Sequence, residues 1–217
     1  MKKFLVLFIT WLSLISLQAC MNKDFVLIVP APEKIAIAPF NQPTTNGQLL
    51  AGYIPQDQNY VDEQTLEKYN KILKDKLSQT HRHYIFLSSK DLNISIKKDS
   101  KNRPNVLATW AHLAQKAGAE YIIVPQILEH QEKQGKDRDV TMPARLVTDY
   151  YLIKVVHPET KSTDGFLQVR SHYKEKSFIQ VNVSGEDIIT PRQHKNIVEF
   201  VEESINKMIY EFRLTLN

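Results

Sequence analysis

Gly118-Ala119-Glu120-Tyr121-Ile122-Ile123-Val124-Pro125-Gln126-Ile127-Leu128 decides the fold. From Tyr121 onward the run is apolar on both faces, and such a strand belongs in the middle of a sheet with something packed on each side. Gly118 in front of it is a natural helix stop. Upstream, Val106, Leu107, Trp110, Leu113, Ala114 and Ala117 form an apolar stripe at helical spacing. This predicts a helix with Pro104 at its first position, running to about Lys116 or Ala117. Tyr84-Ile85-Phe86-Leu87 reads as a short strand. Before it, Leu66, Tyr69, Leu73 and Leu77 predict an amphipathic helix from an Asp62 N-cap to about Gln79. Lys34 to Phe40 reads as the first strand, short, apolar and ended by Pro39.

Downstream, Gln131 to Pro143 is polar and turn-like, and Arg145 to Val156 runs β-branched and aromatic. His157 to Gly165 is a hairpin loop ending in Asp-Gly, leading to Phe166 through Tyr173 and on to Phe178 to Val183, so that two or three antiparallel strands are read from Arg145 onward. Thr190-Pro191-Arg192-Gln193 offers an N-cap, a first-turn proline and a capping-box glutamine. The stripe Ile197, Val198, Val201, Ile205, Met208, Ile209, Phe212 then carries a helix toward the chain end. The order β-α-β-α-β-β-β-α predicts a single α/β (α+β) domain over residues 34–217, a mixed sheet with helices packed on it.

The amino end has another character. Lys2 and Lys3 precede an apolar run of about fourteen residues, Phe4 to Leu17, interrupted by Thr10, Ser13 and Ser16. That is the layout of a secretory signal, and it is short of the roughly twenty residues a spanning helix needs. It closes on Cys20, the single cysteine, which has no disulfide partner in the chain. Leu17-Gln18-Ala19-Cys20 resembles the lipobox of bacterial lipoproteins, with Gln18 bulkier than usual. The resemblance implies residues 1–19 as signal peptide, diacylation of the Cys20 sulfur and acylation of the new amino terminus. Cys20 is then a covalent lipid anchor, with no other cofactor expected, and several acyl chains together hold a protein on a bilayer. Residues 20–33 become the acylated tether. Met21, where lipoproteins retained at the inner membrane carry Asp, favours the outer membrane with the domain in the periplasm.

With 42% hydrophobic and 24% charged residues the composition is that of a globular protein. The net charge of +4 includes Lys2 and Lys3, leaving +2 on the mature chain, too little to argue for nucleic acid. Lys90, Lys97, Lys98, Lys101 and Arg103 form a local basic run without interleaved aromatic residues, so they read as a solvated connector.

Chemistry is sparse. No HExxH, G-x-S-x-G, P-loop or G-x-G-x-x-G occurs, and no enzyme is expected. His81-Arg82-His83 lacks a third metal ligand, and Asp137 with Asp139 falls short of the roughly six oxygens a cation needs, so no metal site is expected. Glu129 and His130 are the one pair that could act as acid and base, motivating an envelope hydrolase as a further alternative. Tyr150 and Tyr151 put one ring on each face of their strand, one for the core and the other for core or interface. Residues 41–61, NQPTTNGQLLAGYIPQDQNYV, form a long loop with isolated Leu49, Leu50, Tyr53 and Ile54. Loops of that length often bind, although the same residues could fold the loop onto the core.

The segments KIAIAPF, GAEYIIVPQI and DYYLIKVVHPETKSTDGFLQV together resemble a set of bacterial envelope lipoproteins. Their shared domain is similar to the amino-terminal domain of TolB, and occurs in the curli-secretion channel protein and in lipoprotein activators of peptidoglycan synthases. The shared pattern is a strand ending in proline and aromatic, a Gly-Ala-Asp-like turn and an Asp-x-x-Thr-Gly hairpin. Here Glu120 replaces the acidic residue of the turn, and Ser162, Thr163 and Asp164 precede Gly165 in a longer loop. The resemblance covers residues 34–214 in topology and implies a non-enzymatic docking or accessory module for another envelope protein. Its expected contact surface is loop 41–61 with hairpin 131–144, through Leu49, Leu50, Tyr53, Ile54, Arg138 and Asp139. The alternative is a subunit of an oligomeric outer-membrane pore, and the oligomeric state stays open. Neither segment shows the alternating apolar pattern of barrel strands.

Overall fold

In the computed structural model the described residues are 29, 33–89, 98, 101–102, 104–136, 139–155, 165–176 and 195–215. The elements are β1 (Ile35–Ile37), α1 (Glu63–Ser78), β2 (Tyr84–Phe86), α2 (Val106–Lys116), β3 (Tyr121–Gln131), β4 (Gln134–Lys136), β5 (Asp139–Met142), β6 (Arg145–Val155), β7 (Gly165–Lys176) and α3 (Ile197–Glu211). A five-stranded sheet runs β2-β1-β3-β6-β7, and β4 with β5 forms a separate hairpin. β1 pairs in parallel with β2 and β3, whereas β3, β6 and β7 pair antiparallel. The fold is therefore α/β with a mixed sheet, as the pattern of elements predicts.

The double-sided apolarity of the central stretch has its counterpart in two cores. On one face Ile35, Ile37, Tyr121, Ile123 and Tyr150 pack with Tyr69, Leu73 and Leu77 of α1 and Phe200, Val201, Ile205 and Met208 of α3. On the other, Ala36, Ile122, Val124, Tyr151 and Ile153 meet Trp110, Ala111 and Ala114 of α2. The alternation of a strand makes this division, one residue up and the next down. Tyr150 and Tyr151 are both fully buried, one in each core, so neither serves an interface.

Helix ends follow local chemistry. Asp62 accepts the Thr65 amide at 2.9 Å, as predicted. α2 opens later than expected, because the Asn105 side chain takes the Ala108 amide at 3.0 Å and leaves Pro104 outside the helix. Beyond its end, Gly118 adopts φ +70°, a backbone that a Cβ would strain. The expected start of the last helix at Thr190 lies outside the described residues. Where the helix is described it begins at Ile197, with Asn196 and Glu199 forming a reciprocal capping box. The strand expected at Phe178 to Val183, the loop 157–164 and Cys20 also lie outside the described residues. β1 is shorter than its apolar run, spanning only Ile35–Ile37, and β3 is longer, reaching Gln131. The polar, turn-like stretch expected as a hairpin over 131–144 holds the paired strands β4 and β5, whose backbone pairing needs no apolar pattern.

Candidate functional site

The site follows from a mismatch in strand lengths. β1 stops at Ile37, but its neighbour β3 continues to Gln131, so the far half of β3 would have a bare edge. Loop 41–61 covers it. Asn41 lies beside Gln126 as an isolated parallel bridge, its amide donating to the Pro125 carbonyl and its carbonyl accepting the Ile127 amide at 2.9 Å. Farther along, the side-chain amides of Gln58 and Asn59 donate to the carbonyls of Leu128 and His130 at 3.0 and 3.2 Å. Gln42 ties the two ends of the loop, donating to the Asn59 carbonyl and accepting the Val61 amide.

Gln126 is the centre of this arrangement. Wholly buried, it accepts the Leu50 amide at 3.1 Å and donates to the Gln48 carbonyl at 2.9 Å and to the Asn41 side chain at 3.2 Å. A buried amide satisfied on both ends fixes one loop conformation, since leaving it unpaired costs about 1–3 kcal/mol. Leu50 and Ala51 thereby pack on the second core.

Beside Gln126 in the sheet register lies Asp149, and beside Asp149 lies His172. Asp149 is fully buried, and its carboxylate is matched from three sides. His172 Nδ1 stands 2.7 Å from one oxygen, the Arg170 guanidinium donates to the other at 2.7 Å, and the Tyr151 hydroxyl lies 3.1 Å from that same oxygen. The Tyr151 hydroxyl also reaches the Ala51 carbonyl at 3.1 Å, so its one proton is shared between carboxylate and loop. Burial, reinforced by the Asp149 charge, pushes the Tyr151 phenol upward and keeps it a donor. The hydrogen bond to Asp149 raises the Arg170 guanidinium, against a smaller opposing effect of burial. Arg170 also lies over the Tyr151 ring, 5.8 Å from its centroid. The buried charge is thus neutralised in place and tied to loop 41–61 by a tyrosine.

The hairpin joins the same end of the sheet, because it follows β3 directly. Gln131 donates to the Pro143 carbonyl at 2.7 Å across its base, where Arg145 also pairs with Glu129. The structure therefore brings the two expected contact elements together. Tyr53 is 74% exposed, Ile54 and Leu49 are half-buried, and Leu50 faces the core. Arg138 lies outside the described residues, and Asp139 begins β5 opposite Lys136. The sequence pattern gives no sign of Tyr60, 80% exposed, or of Met142 on the hairpin.

Glu129 and His130 part company. Glu129 pairs with Arg145, whereas His130 is buried with its Nε2 2.8 Å from the Tyr69 hydroxyl under α1. Burial lowers the His130 pKa, with the charges of Glu132 and Asp62 opposing. The two do not form an acid-base pair. Among the described residues no group of three or more metal-ligating side chains occurs, and no helix is long and apolar enough to cross a membrane.

No family model and no curated protein matches this chain. Among solved structures it is similar to the PelC dodecamer from Paraburkholderia phytofirmans, with 9% identity, TM-score 0.47, and 88% of this chain and 93% of that one covered. It is also similar to the hypothetical protein CT253 from Chlamydia trachomatis, with 10% identity, TM-score 0.44 and coverages of 85% and 96%. A third likeness is to lipoprotein GNA1162 from Neisseria meningitidis, with 12% identity, TM-score 0.33 and coverages of 82% and 99%.

Proposed function

We propose that the chain is a lipoprotein anchored through Cys20 in the outer membrane, whose periplasmic domain docks another envelope protein and has no catalytic task. The anchor rests on the Leu17 to Cys20 lipobox and the apolar run before it. The TolB-like and curli-channel-like resemblance supports the docking role. The observation that carries it is the fixed geometry of loop 41–61. Gln126 and Tyr151 clamp the loop from beneath, while Tyr53 and Tyr60 stand in solvent at 74% and 80% exposure. Exposed aromatic side chains on a loop held in one conformation are what a protein interface uses as anchors. The hairpin adds Met142 at 38% exposure.

The pore alternative draws nothing from β4 and β5. Their three and four residues fall short of the nine to eleven, roughly, of a barrel strand. The hydrolase alternative loses its pair, since Glu129 and His130 serve different partners.

Photo-crosslinking in cells tests the docking role, with a benzophenone amino acid replacing Tyr53, Tyr60 or, as control, the 84% exposed Tyr210 of α3. One discrete adduct from positions 53 and 60 and none from 210 is expected. Equal smears from all three would sink the assignment of the surface. Labelling of the same cells with radioactive palmitate checks the anchor: the label should enter the parent and not Cys20→Ala, and equal incorporation into the variant would refute acylation there.

A further inference from the structure

The parallel half of the sheet contains a second feature, on the far side of β1 from the clamped loop. From β1 the chain runs through α1, on the face of the first core, to β2. From β2 it runs through α2, on the opposite face, to β3 on the other side of β1. The helices that follow β1 and β2 therefore lie on opposite faces. In open α/β sheets such a point leaves a crevice outside the strand ends, and ligands bind there.

A cleft of about 270 Å³ lies at that point. Its floor is the end of β1, from Ile37 to Pro39, and one wall is the end of β2 from Phe86 to Ser89. The other wall is the face of α1 that carries Glu67, Asn70, Lys71 and Lys74. The volume falls just under the range of about 300–1,000 Å³ usual for small-molecule pockets, which suits a compact ligand. Lys74 stands over the exposed Phe86 ring, 5.6 Å from its centroid. Glu67 is engaged across the rim by the Ser89 hydroxyl at 2.9 Å. Among the described residues no carboxylate forms an ion pair with Lys71 or Lys74. The cleft is thus lined by two lysines and an aromatic face, with its one carboxylate accepting a hydrogen bond from a serine at the rim.

We infer that this switch-point cleft binds a small organic anion, its carboxylate or phosphoryl group held by Lys71 and Lys74 and its apolar body against Phe86. The inference stands apart from the docking role, since none of the lining residues belongs to loop 41–61 or the hairpin.

Calorimetric titration of the full acylated chain in a non-ionic detergent, with phenyl phosphate and with benzoate as probes, tests it. Saturable one-to-one binding of at least one probe is expected, and the tighter one names the head group. The Lys71→Ala, Lys74→Ala double variant should weaken it about tenfold or more, since each charge-assisted contact is strong. Both lysines are exposed, so the variant should keep the parent melting temperature. Phe86→Ala should weaken the aromatic probes and leave inorganic phosphate unaffected. Equal affinity in the double variant, or no saturable binding of either probe up to about 10 mM, overturns the assignment. Either result leaves the crosslinking at Tyr53 and Tyr60 untouched, so the two readings fail separately.

Discussion

Asp149 on β6 and His172 on β7 face each other across the sheet with Oδ1 and Nδ1 2.7 Å apart, the carboxylate fully buried and the imidazole half exposed. The carboxylate also anchors Arg170 and touches Tyr151, so one buried charge organises three side chains from two strands. Asp149→Asn keeps the shape and removes the charge. Breaking a buried pair costs about 3–5 kcal/mol when both partners are buried. Here Arg170 and His172 reach water, and about 2 kcal/mol is expected, a melting drop of roughly 4–8 °C for a domain of this size. Thermal unfolding at neutral pH measures it, and an unchanged transition would show that the charge is not what holds the cluster.

Gln126 acts on the loop alone. In Gln126→Ala the Leu50 amide and the Gln48 carbonyl lose their buried partner. Hydrogen exchange at the Leu50 amide should rise about tenfold or more. The Val61 amide, held by Gln42 instead, should keep its protection. Uniform acceleration at both would mean that the loop opens as one unit.

The loop's apolar residues divide by task. Leu50 packs on the second core, and Leu50→Ala should cost about 1 kcal/mol of stability. Tyr53 stands free, and Tyr53→Ala should stay within about 0.5 kcal/mol of the parent. Denaturant melts of the two single variants decide it, and a large cost at Tyr53 would place that ring in the core.

His130 gives the fold a pH dependence. Its folded pKa lies below the ordinary value of 6.5 because burial disfavours the charged ring. The unfolded chain therefore takes up this proton first as pH falls. The stability that His130 contributes is complete above pH 6.5 and is lost progressively below it. His130→Gln should flatten the fall in unfolding free energy between about pH 7 and pH 5. An identical slope in the variant would assign the acid sensitivity elsewhere.

Much of this architecture was legible. The central strand declared itself by being apolar on both faces, and α1 by its stripe and its Asp62 cap. The last helix begins later than Thr190-Pro191-Arg192-Gln193 suggests, since the cap of Ile197–Glu211 is Asn196 with Glu199. The β4–β5 hairpin was legible as a hairpin over 131–144, but its strands were not, because polar strands have no apolar period to read. Loop 41–61 was visible from its length, but its clamp was not. Gln126 and Asp149 are single polar residues inside apolar strands, and that is a signal in itself, since a buried charge requires partners. Which partners it finds depends on register across β3, β6 and β7, and register is not written in any one segment.

β1 also has a mechanical aspect. It lies between β2 and β3, with Leu87 donating to the Ile37 carbonyl and Ala38 to the Ile123 carbonyl, both at 2.9 Å. At its amino end Glu120 and Tyr121 donate to the Lys34 carbonyl, and the Lys34 amide returns a bond to the Glu120 carboxylate. Val29, farther toward the amino terminus, is buried in the first core. A pull on the amino-terminal side of the chain therefore enters the sheet at an interior strand rather than peeling an edge. It loads parallel hydrogen bonds on both flanks together, in shear, and the domain resists tension as a unit where its chain emerges.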